Sequence, residues 1–161
     1  MWFELRKEDL GFRQRAPIVH VADAELAVPR ARVFAAFADP TTWPLWFPSV
    51  REVSYSGPTP PGVGTIRQAL VGGTRWVEEM IAWDVDRCWA YSIVRSSVPM
   101  AWAKVEAFEL EEARQGTRVR WTLALEPRLL ARLGSPFFPA VVDRLFARAM
   151  RNLESLLRSA P

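Results

Sequence analysis

One stretch constrains this chain more than any other. Counting from Val142 as position i, Leu145, Phe146, Ala149, Met150, Leu153, Leu156 and Leu157 fall at i+3, i+4, i+7, i+8, i+11, i+14 and i+15, and all are apolar. That is one face of a helix of period 3.6. Arg144, Arg148, Arg151 and Arg158 lie opposite. The spacing predicts a helix of about 20 residues within 135–158, with Ser135 as its N-cap and Pro136 as its first helical residue. Burial of the stripe contributes at most about 1.5–3 kcal/mol per large side chain. So one-sided a helix must lie on another apolar surface, and only the middle of the chain is large enough to supply it.

That middle reads as strands. Residues 17–28 form a first strand through Ile18, Val19, Val21, Leu26 and Val28. Pro29 opens a short helix through Val33, Phe34 and Phe37, and Asp39-Pro40 ends it. A second helical turn holds Trp43, Leu45 and Trp46, kept short by Pro44 and Pro48. Strand-length segments follow at 50–56, 64–71, 74–84, 87–95, 101–112 and 117–126. Gly57-Pro58, Gly72-Gly73, the stretch from Asp84 to Arg87, the stretch from Ser96 to Pro99, and Gln115-Gly116 mark the turns between them. Residues 127–134 are expected to make one or two helical turns stopped by Gly134. Consecutive strands joined by short turns imply an antiparallel meander. The expected fold class is α+β: a seven-stranded curved antiparallel sheet wrapped around a long C-terminal helix, with two short helices after strand 1. At 161 residues the chain is read as one domain over 17–161, preceded by a flanking segment, 1–16, that packs its aromatics onto the domain or a partner.

The stretch VPRARVFAAFADPTTWPLWFPSVREV, 28–53, resembles the opening of the polyketide cyclase/dehydrase branch of the START-like (Bet v 1-like, SRPBCC, helix-grip) superfamily. Pro29, Val33, Phe34, Asp39, Pro40, Trp43, Trp46, Pro48 and Val50 match its pattern. G-x-G-T at 62–65, D-V-D-R at 84–87 and G-T-R-V-R-W at 116–121 match its later strand punctuation. The resemblance implies a helix-grip fold over 17–158. It does not select among the superfamily's lipid carriers, hormone receptors and aromatase/cyclases, because a fold does not carry an activity with it.

Several chemistries are argued against. His20 is the single histidine and Cys88 the single cysteine, so a metal site is not expected, nor is a disulfide framework. No G-x-S-x-G elbow is present, and Gly62-x-Gly64 lacks the third glycine of a dinucleotide loop. No cofactor is expected. The net charge of +3 comes from 19 Arg and 2 Lys against 18 acidic residues. It gives little reason for a nucleic-acid partner. No run of about 18 apolar residues suggests a transmembrane segment. Charges among the first nine residues break any signal-peptide core, so a cytoplasmic location is expected. The sequence is silent on oligomeric state.

Eight tryptophans are many for this length, and aromatic bulk beyond what a core needs points to a lined cavity. On 117–126, Val119, Trp121, Leu123 and Leu125 form the inward face. Strict alternation elsewhere groups Val77, Ile81 and Trp83 with Glu79, Trp89, Tyr91 and Ile93 with Arg95, and Trp102, Phe108 and Leu110 with Lys104 and Glu106. The ligand-binding set expected from these faces is Trp43, Trp46, Glu79, Trp83, Tyr91, Trp102, Glu106, Phe108 and Trp121, with Phe146, Ala149 and Met150 as the helix wall. Ala149 is a small residue mid-helix that leaves room. Trp43 and Trp46 are expected to close the mouth. The leading expectation is a binding module for a lipid-like or polyketide-like hydrophobic molecule. One alternative is a cyclase/aromatase- or dehydratase-type enzyme, with Glu79 or Glu106 as base and Tyr91 or Arg95 polarising a carbonyl. Ordered, paired polar groups deep in the cavity would favour that alternative. A third is a partner- or membrane-surface protein using the arginine face of the last helix.

Overall fold

The computed structural model describes residues 1–128 and 138–159. Its elements run β1 (Phe3–Glu4), α1 (Phe12–Arg15), β2 (Ile18–Leu26), α2 (Arg30–Ala38), α3 (Trp43–Trp46), β3 (Val50–Ser56), β4 (Ile66–Val71), β5 (Thr74–Asp84), β6 (Cys88–Ser96), β7 (Ala101–Ala113), β8 (Gly116–Pro127) and α4 (Phe138–Ser159). The strands form one antiparallel sheet in the order β2-β8-β7-β6-β5-β4-β3, with β1 joined to β6 off that path. The seven expected strands and both short helices are present. Pro29 caps α2 rather than opening it, one residue from its expected place. Ser135 and Pro136, and all but the first two residues of 127–134, lie outside the described residues; Pro127 belongs to β8.

Helix α4 lies where its stripe requires. Val142, Phe146, Ala149, Met150 and Leu153 are buried, and Leu145, Leu156 and Leu157 pack half-buried against the same core. Arg144, Arg148, Arg151 and Arg158 face outward. Polar side chains fix the helix along both flanks. Asp143 Oδ1 meets His20 Nε2 of β2 at 2.8 Å, and Glu154 Oε1 accepts from the Ala27 amide at 2.8 Å. Asn152 Nδ2 donates to the Trp46 carbonyl at 3.1 Å. His20 therefore ties a strand to the helix.

The eighth strand comes from the flanking segment. β6 and β7 pair directly only between Cys88–Ser92 and Val105–Glu109. Beyond that they part, and residues 3–6 enter the gap. Phe3 and Glu4 sit opposite Ser96 and Arg95, the Leu5 amide donates to the Val94 carbonyl at 2.9 Å, and the Arg6 amide donates to the Trp102 carbonyl at 2.8 Å. Both separated edges thereby find backbone partners, which buried peptide groups require. Leu5 joins the main core, and Phe12 of α1 packs on Ala103, Val105 and Ala124 across the other face of the sheet.

Candidate functional site

A cavity of about 180 Å³ lies between the sheet and the N-terminal half of α4. Phe138, Val142 and Leu145 form its helix wall, and Trp43, Phe47 and Val50 close one side. Trp76, Tyr91, Ile93, Trp121 and Leu123 supply the sheet's apolar wall. The cavity stops short of mid-helix because aromatic rings fill the space there. Phe108, Trp121 and Phe146 stack in a column, with centroids 5.9 Å and 5.4 Å apart. Phe37 packs on Phe108 at 5.0 Å, and Trp43 on Trp46 at 4.5 Å. Ala149 is fully buried within that packing and leaves no space beside it.

Two ion pairs are set into this apolar lining. Arg67 of β4 is bonded through Nη1 to Glu78 of β5, and both side chains are almost wholly buried, at 1% and 3% exposure. The Arg67 guanidinium lies over the Trp43 ring, 4.3 Å from its centroid, with Trp89 and Tyr91 at 5.5 Å and 5.4 Å. The second pair is Lys104 Nζ with Glu106 Oε1 at 2.8 Å; the other Glu106 oxygen accepts from Trp121 Nε1 at 2.9 Å. Lys104 in turn sits over the Trp76 ring at 4.6 Å. Among the described residues, four buried side-chain polar atoms have no hydrogen-bond partner, and three of them belong to cavity-lining residues: Arg67 Nε, Arg67 Nη2 and Ser49 Oγ.

Burial shapes the titration of the acids here. It lifts the Glu78 carboxyl above its ordinary range, with Arg67 opposing and the negative charge of Glu106 adding to the rise. Burial likewise pushes the Tyr91 hydroxyl well above its ordinary value, helped by Glu106 and then Glu78. Arg67 keeps its proton firmly: burial works against the charge, but Glu78, Tyr91 and Tyr55 together outweigh it. The site thus holds a neutral phenol beside two charge-balanced pairs.

Of the residues expected from sequence, Trp43, Tyr91, Glu106 and Trp121 border the cavity. Trp46, Phe108, Phe146, Ala149 and Met150 are buried in the adjoining core and do not line it. The helix wall lies about one to two turns nearer the N-terminus than expected. Trp83 is half-buried at the far side, edge-on to Phe34 at 6.1 Å and Tyr55 at 6.2 Å.

Glu79 and Trp102 point away from the cavity, and β-bulges are the reason. An extra residue between Met80 and Ala82 of β5 breaks the two-residue alternation, so Trp83 faces inward while Glu79 does not. Glu78 takes the inward position, and Glu79 pairs with Lys7 outside at 2.6 Å. A second shift, between Val77 and Glu78 against β6, leaves Val94 unpaired with β5 and turns Arg95 out over the Trp2 ring. A third, between Ala101 and Ala103 of β7, places Ala101 in the main core and exposes Trp102, which stacks on Arg128 at 4.1 Å. A bulge re-aims every side chain beyond it.

Arg67 and Glu78 escaped the sequence reading, yet a signal for them existed. Gly72 and Gly73 both have positive φ, 57° and 84°, the signature of a two-residue hairpin turn. Such a turn fixes the register outward from Val71 opposite Thr74, which sets Arg67 directly across from Glu78. An opposite-charge cross-strand pair was therefore legible from the two glycines.

A curved antiparallel sheet gripping a long C-terminal helix, with an aromatic-walled cavity between them, defines the helix-grip class. The chain belongs to the polyketide cyclase/dehydrase and lipid transport family, whose model matches residues 19–158. It is 29% identical over 145 residues to Rv2574, an uncharacterized protein of Mycobacterium tuberculosis, covering 89% of this chain and 87% of that one. Among solved structures it resembles a START superfamily protein from Mycobacterium smegmatis, with a TM-score of 0.71 at 11% identity over 87% of this chain and 97% of that one. Ginseng major latex-like protein 151 from Panax ginseng also gives 0.71 at 11% identity, over 89% and 98%. The Zhui aromatase/cyclase from Streptomyces sp. R1128 gives 0.67 at 17% identity, over 88% and 92%. At these identities the structural likeness establishes the fold. No helix of the described residues is long and apolar enough to cross a membrane.

Proposed function

We propose that this protein binds a small hydrophobic molecule in the cavity between the sheet and α4. The observation that carries this reading is the cavity of about 180 Å³, walled by aromatic rings yet containing buried side-chain donors without partners. An apolar pocket with a few convergent polar groups is the usual anatomy of a small-molecule site. The volume sets the ligand's size: an apolar cavity of roughly 150 Å³ holds benzene, so a molecule of about one ring, or a short acyl fragment, fits. Native mass spectrometry of protein from its own host should show a bound apolar molecule. Leu145→Trp, which places bulk on the helix wall, should remove that adduct and weaken binding of apolar probes while the fold persists. An unliganded wild type that binds no apolar probe defeats the reading.

The second reading is an enzyme of the cyclase or dehydratase type, and one observation favours it. Arg67, Glu78, Tyr91 and Glu106 converge on one cavity, the arrangement expected of acid–base catalysis. These paired, buried groups are what the enzymatic reading asks for, but binding stays ahead because each carboxylate is already engaged by a cation, Glu78 by Arg67 and Glu106 by Lys104. Turnover of a ligand identified by mass spectrometry, lost in Tyr91→Phe with binding retained, would establish the enzymatic reading instead.

A further inference from the structure

The charges and free donors of the cavity narrow the class of ligand. Arg67 spends Nη1 on Glu78, which leaves the in-plane edge formed by Nε and Nη2 unpartnered in a side chain 1% exposed. The Trp43 ring covers one face of the guanidinium, and the Nε–Nη2 edge is where donors remain for an incoming acceptor. Buried donors left unpaired cost roughly 1–3 kcal/mol each. A ligand that offers them an acceptor therefore gains where a pure hydrocarbon does not.

The same cavity is already neutral. Arg67 balances Glu78, and Lys104 balances Glu106. An added carboxylate would bring an uncompensated negative charge into a space that holds two carboxylates at close range, and an isolated buried charge is costly. An added ammonium would face the two cations and find both acids engaged. We propose that the cavity takes a neutral, one-ring molecule bearing a carbonyl or similar acceptor, seated on the Nε–Nη2 edge of Arg67. This rests on the small-molecule binding reading above and specifies its ligand. Ser49 Oγ, also buried and unpartnered, supplies a second polar contact at the cavity wall.

Three probes of nearly the same shape separate the possibilities: ethylbenzene has no acceptor, acetophenone a neutral one, and benzoate a charged one. Their dissociation constants are measured on the full chain by amide-shift titration at pH 8. Acetophenone should bind at least tenfold more tightly than either of the others, and its addition should move the side-chain Nε–H resonance of Arg67, which ethylbenzene leaves in place. Arg67→Lys keeps a cation beside Glu78 but removes the fork, and should bring the ratio of the acetophenone and ethylbenzene dissociation constants, both measured on that variant, to about one. The wild-type series and the Arg67 resonance test the proposal even if that variant does not fold. Equal affinity for ethylbenzene and acetophenone means the donors are satisfied without the ligand, and overturns the proposal while leaving the pocket reading intact. Tightest binding by benzoate overturns the neutral-ligand assignment. Failure of all three probes to bind overturns the pocket reading with it.

Discussion

Removing Arg67 alone should be among the most damaging single changes in this protein, and removing its partner as well should undo most of the damage. Arg67 and Glu78 are 1% and 3% exposed, so Arg67→Met leaves a carboxylate buried among Trp43, Tyr91 and Ile93 with its cation gone. Breaking one side of such a pair costs about 3–5 kcal/mol, whereas replacing both members with apolar residues of similar volume is close to neutral or stabilising. Arg67→Met should therefore lose about 3–5 kcal/mol, and Arg67→Met/Glu78→Leu should lie within about 1 kcal/mol of wild type. Urea unfolding at fixed m reads these differences directly. The single variant should also become pH-dependent. Burial already holds the Glu78 carboxyl above the ordinary carboxylate range, and losing Arg67 raises it further. A carboxyl whose folded pKa exceeds its unfolded one stabilises the fold while protonated, below its unfolded pKa, and that stability is lost as pH rises through the folded pKa. Arg67→Met should thus be least impaired near pH 4.5 and progressively weaker toward pH 8. A double variant as damaged as the sum of the two single ones, or a single variant losing under about 1 kcal/mol, would show that Glu78 is not held as a buried charge by Arg67.

Three further outcomes follow from particular contacts. Trp46 is fully buried and its carbonyl receives Asn152, so Trp46→Ala should cost about 3–5 kcal/mol in urea unfolding, and a loss below about 1 kcal/mol would contradict its place in the core. Gly116 has φ +149°, and a Cβ there would stand 2.1 Å from the Leu26 carbonyl oxygen and 2.7 Å from the Val28 nitrogen, so Gly116→Ala should destabilise by about 1–3 kcal/mol or more, read as a lower urea midpoint; an unchanged midpoint would refute the close approach. Burial, with Glu109 nearby, pushes the Cys88 thiol up to about 11, so its alkylation in the folded protein should be slow at pH 7 and accelerate about tenfold per pH unit up to pH 10, tracking the thiolate fraction; a rate that levels off near pH 8.5 would show an ordinary thiol.

The elements themselves were determined locally. The period of 3.6 from Val142 to Leu157 defined α4 and its buried face, because an apolar stripe has no stable alternative to lying on a sheet. The turn glycines and prolines set strand limits to within two residues, β3 and β5 falling on their expected bounds, since those residues act on their own backbone. Tyr91, Glu106 and Trp121 were legible as cavity residues because no register break intervenes between each and the inward-facing residues used to place it. Tertiary structure decided the rest. Bulges exchange Glu79 for Glu78 and expel Trp102 and Arg95, and an extra residue in a strand leaves no mark in composition or period when both neighbours are apolar. The insertion of residues 3–6 between β6 and β7 depends on those strands diverging, which neither strand encodes alone. The cavity's position likewise reflects the packing of Phe37, Phe108, Trp121 and Phe146, rings from four separate elements that fill the space beside Ala149 and leave it open beside Val142 and Leu145. Sequence assigns a side chain to a face, but whether the face is filled depends on what the other elements bring to it.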